Sequence, residues 1–225
     1  MLFLVGDPRQ GTYSTNSSTK NKKFKKAAIV NFFDDDSLGI EKDTTSLTTN
    51  YRCNNSICEL SNKLFPNMPA TISGNNETTN HDGVFLVREC EVNEYLSNYP
   101  VTQLRENVKT EVNQQYRVMN FGESKGLSFN RVLIYPTKPI LTWFSNNDSE
   151  LAATSRSKLY VALTRARFSV GIICNYSDET EIDGIQKWNK EEAKAQKHTL
   201  KNRTMQRYTK VFKRVFFRHQ RKKLN

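Results

Sequence analysis

The sequence predicts an α/β fold with a mainly parallel sheet and flanking helices. Three observations point there. Short apolar runs recur at 83–90, 116–121, 131–136 and 169–174. Segments with helical spacing accompany them at 54–65 and 150–167. Alternation of buried strand with helix is the pattern of a parallel sheet. The third observation is size: 225 residues, 36% hydrophobic and 25% charged, can bury a core without disulfide or metal staples.

Taken in order, MLFLV at 1–5 reads as a short buried strand running into a Gly6-Asp7-Pro8 turn. Residues 14–26 are polar and basic, hence loop. AAIVNFF at 27–33 fits a helix or a strand, and Asp34, Asp35, Asp36 and Ser37 end it. In 54–65, Ile57, Leu60 and Leu64 share one helical face, Asn54 or Asn55 can cap, and Pro66 and Pro69 stop the helix. Residues 71–83, rich in Asn, Thr and Gly, form a loop before the strand at 83–90. Leu151, Leu159 and Leu163 give 150–167 its helical face. Residues 185–222 are helix-prone and basic. There Tyr208, Val211, Phe212, Val215 and Phe216 form one stripe, and Lys210, Lys213 and Arg214 lie beside it, facing a nucleic acid or flanking a docking helix.

Charge is concentrated at the end of the chain. Residues 193–225 hold 12 of the 34 Lys and Arg and none of the 23 Asp and Glu, so they carry +12 and the rest nets −1. Such a segment attracts polyanions by counterion release. No apolar run approaches the roughly 18 residues of a membrane span, and the start lacks the basic region of a signal peptide. The four cysteines contain no CxxC pair and the three histidines stand apart, which fits a reducing cytoplasm without a zinc site.

Four segments carry polar chemistry. In LVGDPRQ, a strand feeds a turn at the carboxyl edge of a sheet, where α/β folds bind ligands; Asp7 can hold a metal-bound water and Gln10 can orient a water or sense a phosphate. In NYR, Tyr51 can stack on a base and Arg52 can pair with a phosphate. In GESKG, Gly122 and Gly126 let backbone N–H groups approach an anion. In YVALTRAR, Arg165 ends a helix at the sheet edge, where it can stabilise charge on a phosphoryl group.

In this order the four segments resemble the UvrD/Rep-like superfamily 1 DNA helicases, over about residues 2–175. VGDPRQ with Tyr13 looks like motif III, NYR like motif IV, SKGLSF like motif V and YVALTRAR like motif VI. The resemblance implies a RecA-like fold of the P-loop NTPase type; the basic helical C-terminal extension lies outside it. It implies ATP and Mg2+ as cofactors and single-stranded DNA as partner. Arg165 would be the arginine finger, and Arg52 and Gln10 would meet the γ-phosphate. Asp7 would sit near the magnesium, Tyr51 would stack on adenine, Gly126 would approach the nucleotide and Tyr13 would lie near a DNA base. The domains expected are 1–45, the end of a first RecA-like domain; 46–180, a second one; and 181–225, the basic tail, with Lys210, Lys213 and Arg214 on DNA.

GxxxxGK[ST] occurs nowhere in the chain, and FFDDDS at 32–37 follows motif III, where a Walker B does not belong. The expectation is therefore the C-terminal part of an ATP-dependent helicase, truncated or split and inactive alone, or completed in trans by a P-loop chain. The alternative is a non-catalytic module binding nucleic acid or a partner. With its neighbours elsewhere, the strand at 1–5 should be poorly buried.

Overall fold

The computed structural model describes residues 3–12, 26–34, 37 and 39–195. The chain divides into two units, Met1–Trp188 and Asn189–Asn225. In the first, the strands in chain order are β1 (Thr49–Asn50), β2 (Ile72–Ser73), β3 (Gly83–Val87), β4 (Thr102–Arg105), β5 (Val118–Asn120), β6 (Phe129–Tyr135), β7 (Ala166–Ile173) and β8 (Gln186–Lys187). The helices are α1 (Asn55–Asn62), α2 (Val92–Asn98), α3 (Lys138–Ser145) and α4 (Ala153–Leu163). Six strands form one sheet in the order β5-β4-β6-β7-β3-β8, and β1 pairs with β2 separately. Every pairing is parallel. The parallel α/β architecture expected from the sequence is thus observed.

The two faces of the sheet differ. On one, Val84, Leu86, Val132, Ile134, Val170 and Ile172 form an aliphatic core with Ile57 and Leu60 of α1 and Leu159 and Leu163 of α4. Alternate residues point the other way. There Gly171 lies so close to α2 that a Cβ would sit 2.8 Å from the Leu133 side chain and 3.2 Å from the Tyr95 ring. The same face carries an aromatic cluster in which His81 is stacked between Phe85 (centroids 4.1 Å apart) and Tyr99 (3.8 Å).

Helix α1 starts as its sequence dictates. The Asn54 side chain accepts from Ile57 N at 3.1 Å, and its Nδ2 donates to the Phe168 carbonyl at 2.5 Å, so the cap also clips the helix to β7. Helix α4 stops at Leu163, short of the expected 167. Strand β7 starts at Ala166 rather than 169, which leaves Arg165 in the junction between them. Residues 27–33, ambiguous in sequence, lie within a 3-10 helix, Lys26–Asp34.

The expected buried strand at 1–5 is not formed among the described residues. Phe3, Leu4 and Val5 are 75%, 71% and 80% exposed, in line with the expectation that this segment is poorly buried. In the second unit the described residues are 189–195. Asn189 Oδ1 caps a helical turn by accepting from Glu191 N (2.9 Å) and Glu192 N (3.4 Å). The expected basic helix, with Lys210, Lys213 and Arg214, lies outside the described residues, as does Tyr13. No helix of the described residues is long and apolar enough to cross a membrane.

Candidate nucleotide-phosphate site

Four segments far apart in sequence meet at the amino ends of β6 and β7. The first is the turn Pro8–Gln10. Asp7 caps it: Oδ1 accepts from Arg9 N (3.1 Å) and Arg9 Nε (2.8 Å), and Oδ2 from Gln10 Nε2 (3.1 Å) and the Tyr160 hydroxyl (3.2 Å). The expectation placed this turn at the carboxyl end of a strand. With no strand formed at 3–5, the turn packs instead against α4 and the motif V loop.

The second segment is NYR. Asn50 Oδ1 accepts from the backbone N–H groups of Arg52 and Cys53, both at 3.0 Å, which folds the triplet into a tight turn before α1. Arg52 Nη1 donates to the Thr164 carbonyl at 3.0 Å. Tyr51 is 78% exposed. Its ring rests on Gly74, where a Cβ would fall 2.8 Å from a ring carbon, so only glycine admits the ring there. A flat, exposed aromatic face supported from below is a stacking platform.

The third is the loop before β6. Gly126 has φ +86°, a conformation that favours glycine, and the space where its Cβ would be is open. Lys125 Nζ donates to the Gln10 carbonyl at 3.0 Å, tying motif V to the first turn.

The fourth is Arg165, only 2% exposed. Its Nε donates to the Val161 carbonyl (3.2 Å), Nη1 to the Leu127 carbonyl (3.2 Å), and Nη2 lies 3.5 Å from Thr164 Oγ1. Among the described residues neither Arg165 nor Arg52 forms an ion pair with a carboxylate. Burial, and next the neighbouring Arg52 charge, pull the Arg165 pKa down to about 10. The guanidinium remains charged at neutral pH but is poorly compensated.

Two members escaped sequence reading. Arg9 joins Asp7 and places its guanidinium 4.9 Å from the centre of the Tyr160 ring. Tyr160 is buried, and burial together with the Asp7 charge pushes its hydroxyl pKa up, so it stays protonated and donates to Asp7. The signal for both was position alone, within the same motifs as Gln10 and Arg165.

This donor set suits the phosphates of a nucleotide: Arg9, Arg52, Lys125 and Arg165 converge, and Tyr51 offers a base platform. It does not suit magnesium. Both Asp7 oxygens are taken by nitrogen and hydroxyl donors, and among the described residues no group of three His, Cys, Asp or Glu could hold a metal ion.

At the switch point between β4 and β6, Glu106 accepts from Ser155 Oγ (3.0 Å) and Thr137 Oγ1 (3.3 Å), with Lys158 Nζ at 3.8 Å.

A cluster of arginines beside a parallel sheet is the feature that the comparisons with known proteins can be set against. The model of the viral superfamily 1 RNA helicase core domain matches residues 1–174, and the chain belongs to that family. The superfamily 1 expectation is met at the level of this family. No curated protein matches the chain. Among solved structures, similar ones include the PRRSV helicase (23% identity, TM-score 0.35, covering 56% of this chain and 22% of that one). Another is the arterivirus nonstructural protein 10 helicase in complex with DNA (17%, 0.38, 57% and 25%). A third is the C-terminal domain of a possible DNA helicase from Lactobacillus plantarum (12%, 0.39, 61% and 98%). The chain spans about a quarter of the length of the viral helicases it matches.

Proposed function

We propose that this chain supplies one wall of the ATP cleft of a superfamily 1 helicase that moves along single-stranded nucleic acid and separates strands. Arg165 acts as the arginine finger. Arg52 and Gln10 contact the γ-phosphate, Tyr51 stacks on adenine, and Gly126 lets the backbone approach the nucleotide. ATP, when bound, supplies the phosphoryl group whose transfer drives motion. The residues of this chain orient it and stabilise its charge. Residues 1–45 belong with a first RecA-like domain, 46–180 form the second, and 181–225 are a nucleic-acid-binding tail through Lys210, Lys213 and Arg214, with Tyr13 near a base.

The observation that carries this reading is that Lys125 and Tyr160 bind the Asp7–Gln10 turn while Arg52 and Arg165 gather at the end of the same helix α4. The resemblance assigns Arg52 and Arg165 to the nucleotide phosphates, and among the described residues their guanidiniums have backbone or hydroxyl oxygens as partners rather than carboxylates.

Because the sequence holds no P-loop, the 225-residue chain alone should not turn over ATP. The test is ATP hydrolysis with saturating single-stranded DNA or RNA, with and without a P-loop-bearing helicase half. Turnover is expected with that half present, and should depend on Arg52 and Arg165. Turnover by the chain alone above about 1 s⁻¹, near the low end of enzyme rates, would overturn the reading. Comparing DNA with RNA decides which strand the tail prefers. If six tail cations meet phosphates, log K should fall with log salt at a slope of roughly −4, and deleting residues 199–225 should flatten it.

A further inference from the structure

Tyr160 lies on α4, upstream of Arg165, and reaches across the site. Its hydroxyl donates to Asp7 Oδ2 at 3.2 Å. Arg9 covers one face of its ring, and the Phe65 ring meets it edge-on at 5.6 Å. Its carbonyl accepts from Thr164 N (3.1 Å) and Thr164 Oγ1 (2.8 Å), and the Thr164 carbonyl in turn accepts from Arg52. One side chain therefore joins the turn bearing Asp7, Arg9 and Gln10 to the helix end that anchors Arg52 and leads into Arg165.

The chemistry of the Asp7 end is specific. A carboxylate paired with Arg9 presents two anionic oxygens, as a phosphate does, and competes with a phosphate for that cation. Four donors hold it there, and only the Tyr160 hydroxyl comes from outside its own turn. The Asp7 charge is felt at Arg165.

We propose that Tyr160 is a positioning residue of the phosphate site: its hydroxyl keeps the Asp7 carboxylate turned toward Arg9, where it competes with phosphate. This rests on the phosphate-site reading above. Tyr160 thereby sets the phosphate affinity of the site through Asp7 rather than by touching the ligand. Binding of a phosphate group requires the Asp7 carboxylate to give way, and the Tyr160–Asp7 bond resists that movement.

The test uses the full chain and inorganic pyrophosphate, titrated by calorimetry, with melting temperatures recorded alongside. Asp7→Asn should bind on the order of ten-fold tighter than wild type, the scale of one screened like charge a few ångströms away. Tyr160→Phe keeps the ring packing and should bind about three-fold tighter, as loss of one hydrogen bond to a carboxylate frees Asp7 in part. The double variant should bind no tighter than Asp7→Asn, because Tyr160 acts through Asp7. A merely structural Tyr160 would lower the melting temperature and leave affinity alone. Unchanged or weaker binding by Tyr160→Phe overturns the proposal, as does an equal gain from Tyr160→Phe in the Asp7→Asn background. Should Tyr160→Phe not fold, unchanged affinity in Asp7→Asn overturns it alone. Arg52→Met separates the two readings. If it abolishes binding while Asp7→Asn and Tyr160→Phe match wild type, the phosphate site stands and the role of Tyr160 falls. If neither wild type nor Asp7→Asn binds pyrophosphate, both fall.

Discussion

Arg165 and Arg131 are both buried, at 2% and 8% exposure, yet their surroundings are opposite. Arg131 points into the aromatic face of the sheet. Its Nη2 donates to Thr79 Oγ1 at 2.7 Å, and that hydroxyl in turn donates to the Asp82 carboxylate. Its guanidinium lies 5.9 Å from the Tyr99 and Phe168 ring centres. Its buried Nε has no hydrogen-bond partner among the described residues. The charge of Arg131 is thus relayed to a carboxylate and fastens the 79–82 loop to β6. Arg165 has carbonyl and hydroxyl oxygens and no carboxylate among the described residues. The lesson is that burial does not define a functional arginine. Arg131 is relayed to an acid, as a structural cation is, whereas Arg165 is held by neutral dipoles, the arrangement on which the proposed phosphate role rests.

Acid should separate the two regions most strongly. Burial, and next the Arg131 charge, lower the His81 pKa from 6.5 to about 3. Neutral His81 is therefore favoured by folding. Its contribution is complete above pH 6.5 and is lost as pH falls toward 3, at up to about 1.4 kcal/mol per pH unit. Urea melts of wild type and His81→Phe across that window should diverge with this slope; parallel curves would place His81 outside the acid response. Arg165 itself adds no such window below pH 9, because it stays charged there.

Packing comes next. Gly171→Ala drives a methyl into Leu133 and Tyr95 and should cost about 1–3 kcal/mol in chemical denaturation. A neutral result would mean that α2 can retreat from the sheet. The smallest effects belong to the arginines themselves. Arg131→Met removes the donor to Thr79 Oγ1 and the cation behind the Asp82 carboxylate, and should cost about 1–2 kcal/mol. Arg165→Met removes a desolvated charge that lacks an ion pair, so its stability should stay within about 0.5 kcal/mol of wild type or rise. Equal losses in the two variants would erase the distinction drawn between them.

The legible parts of the fold were those where apolar residues alone build the element. Strands β3, β6 and β7 and helices α1 and α4 carry unbroken apolar runs or clear faces. Strand β4 was not seen because it is written TQLR. Gln103 is fully buried there, satisfied by Tyr135 (2.5 Å) and by both backbone groups of Asn113, and a polar strand of that kind has no periodic signature. Helix α2 is only seven residues, too short for a period to show, and α3 opens with a proline in its first turn. At the site, motif spacing named Asp7, Gln10, Arg52 and Arg165, and the fold brings them together. It gave no hint of the partners that fix their geometry. The Tyr160–Asp7 bond joins positions 153 residues apart, and the Lys125–Gln10 bond joins positions 115 apart.

Thermal unfolding with and without pyrophosphate compares the two arginines directly. A ligand that binds only the folded state stabilises it by RT ln(1 + [L]/Kd), about 2.7 kcal/mol at one hundred times Kd. Pyrophosphate should raise the melting temperature of wild type and of Arg131→Met, and should leave Arg165→Met unmoved. An Arg165→Met protein stabilised as fully as wild type would contradict the assignment of Arg165 to a phosphate.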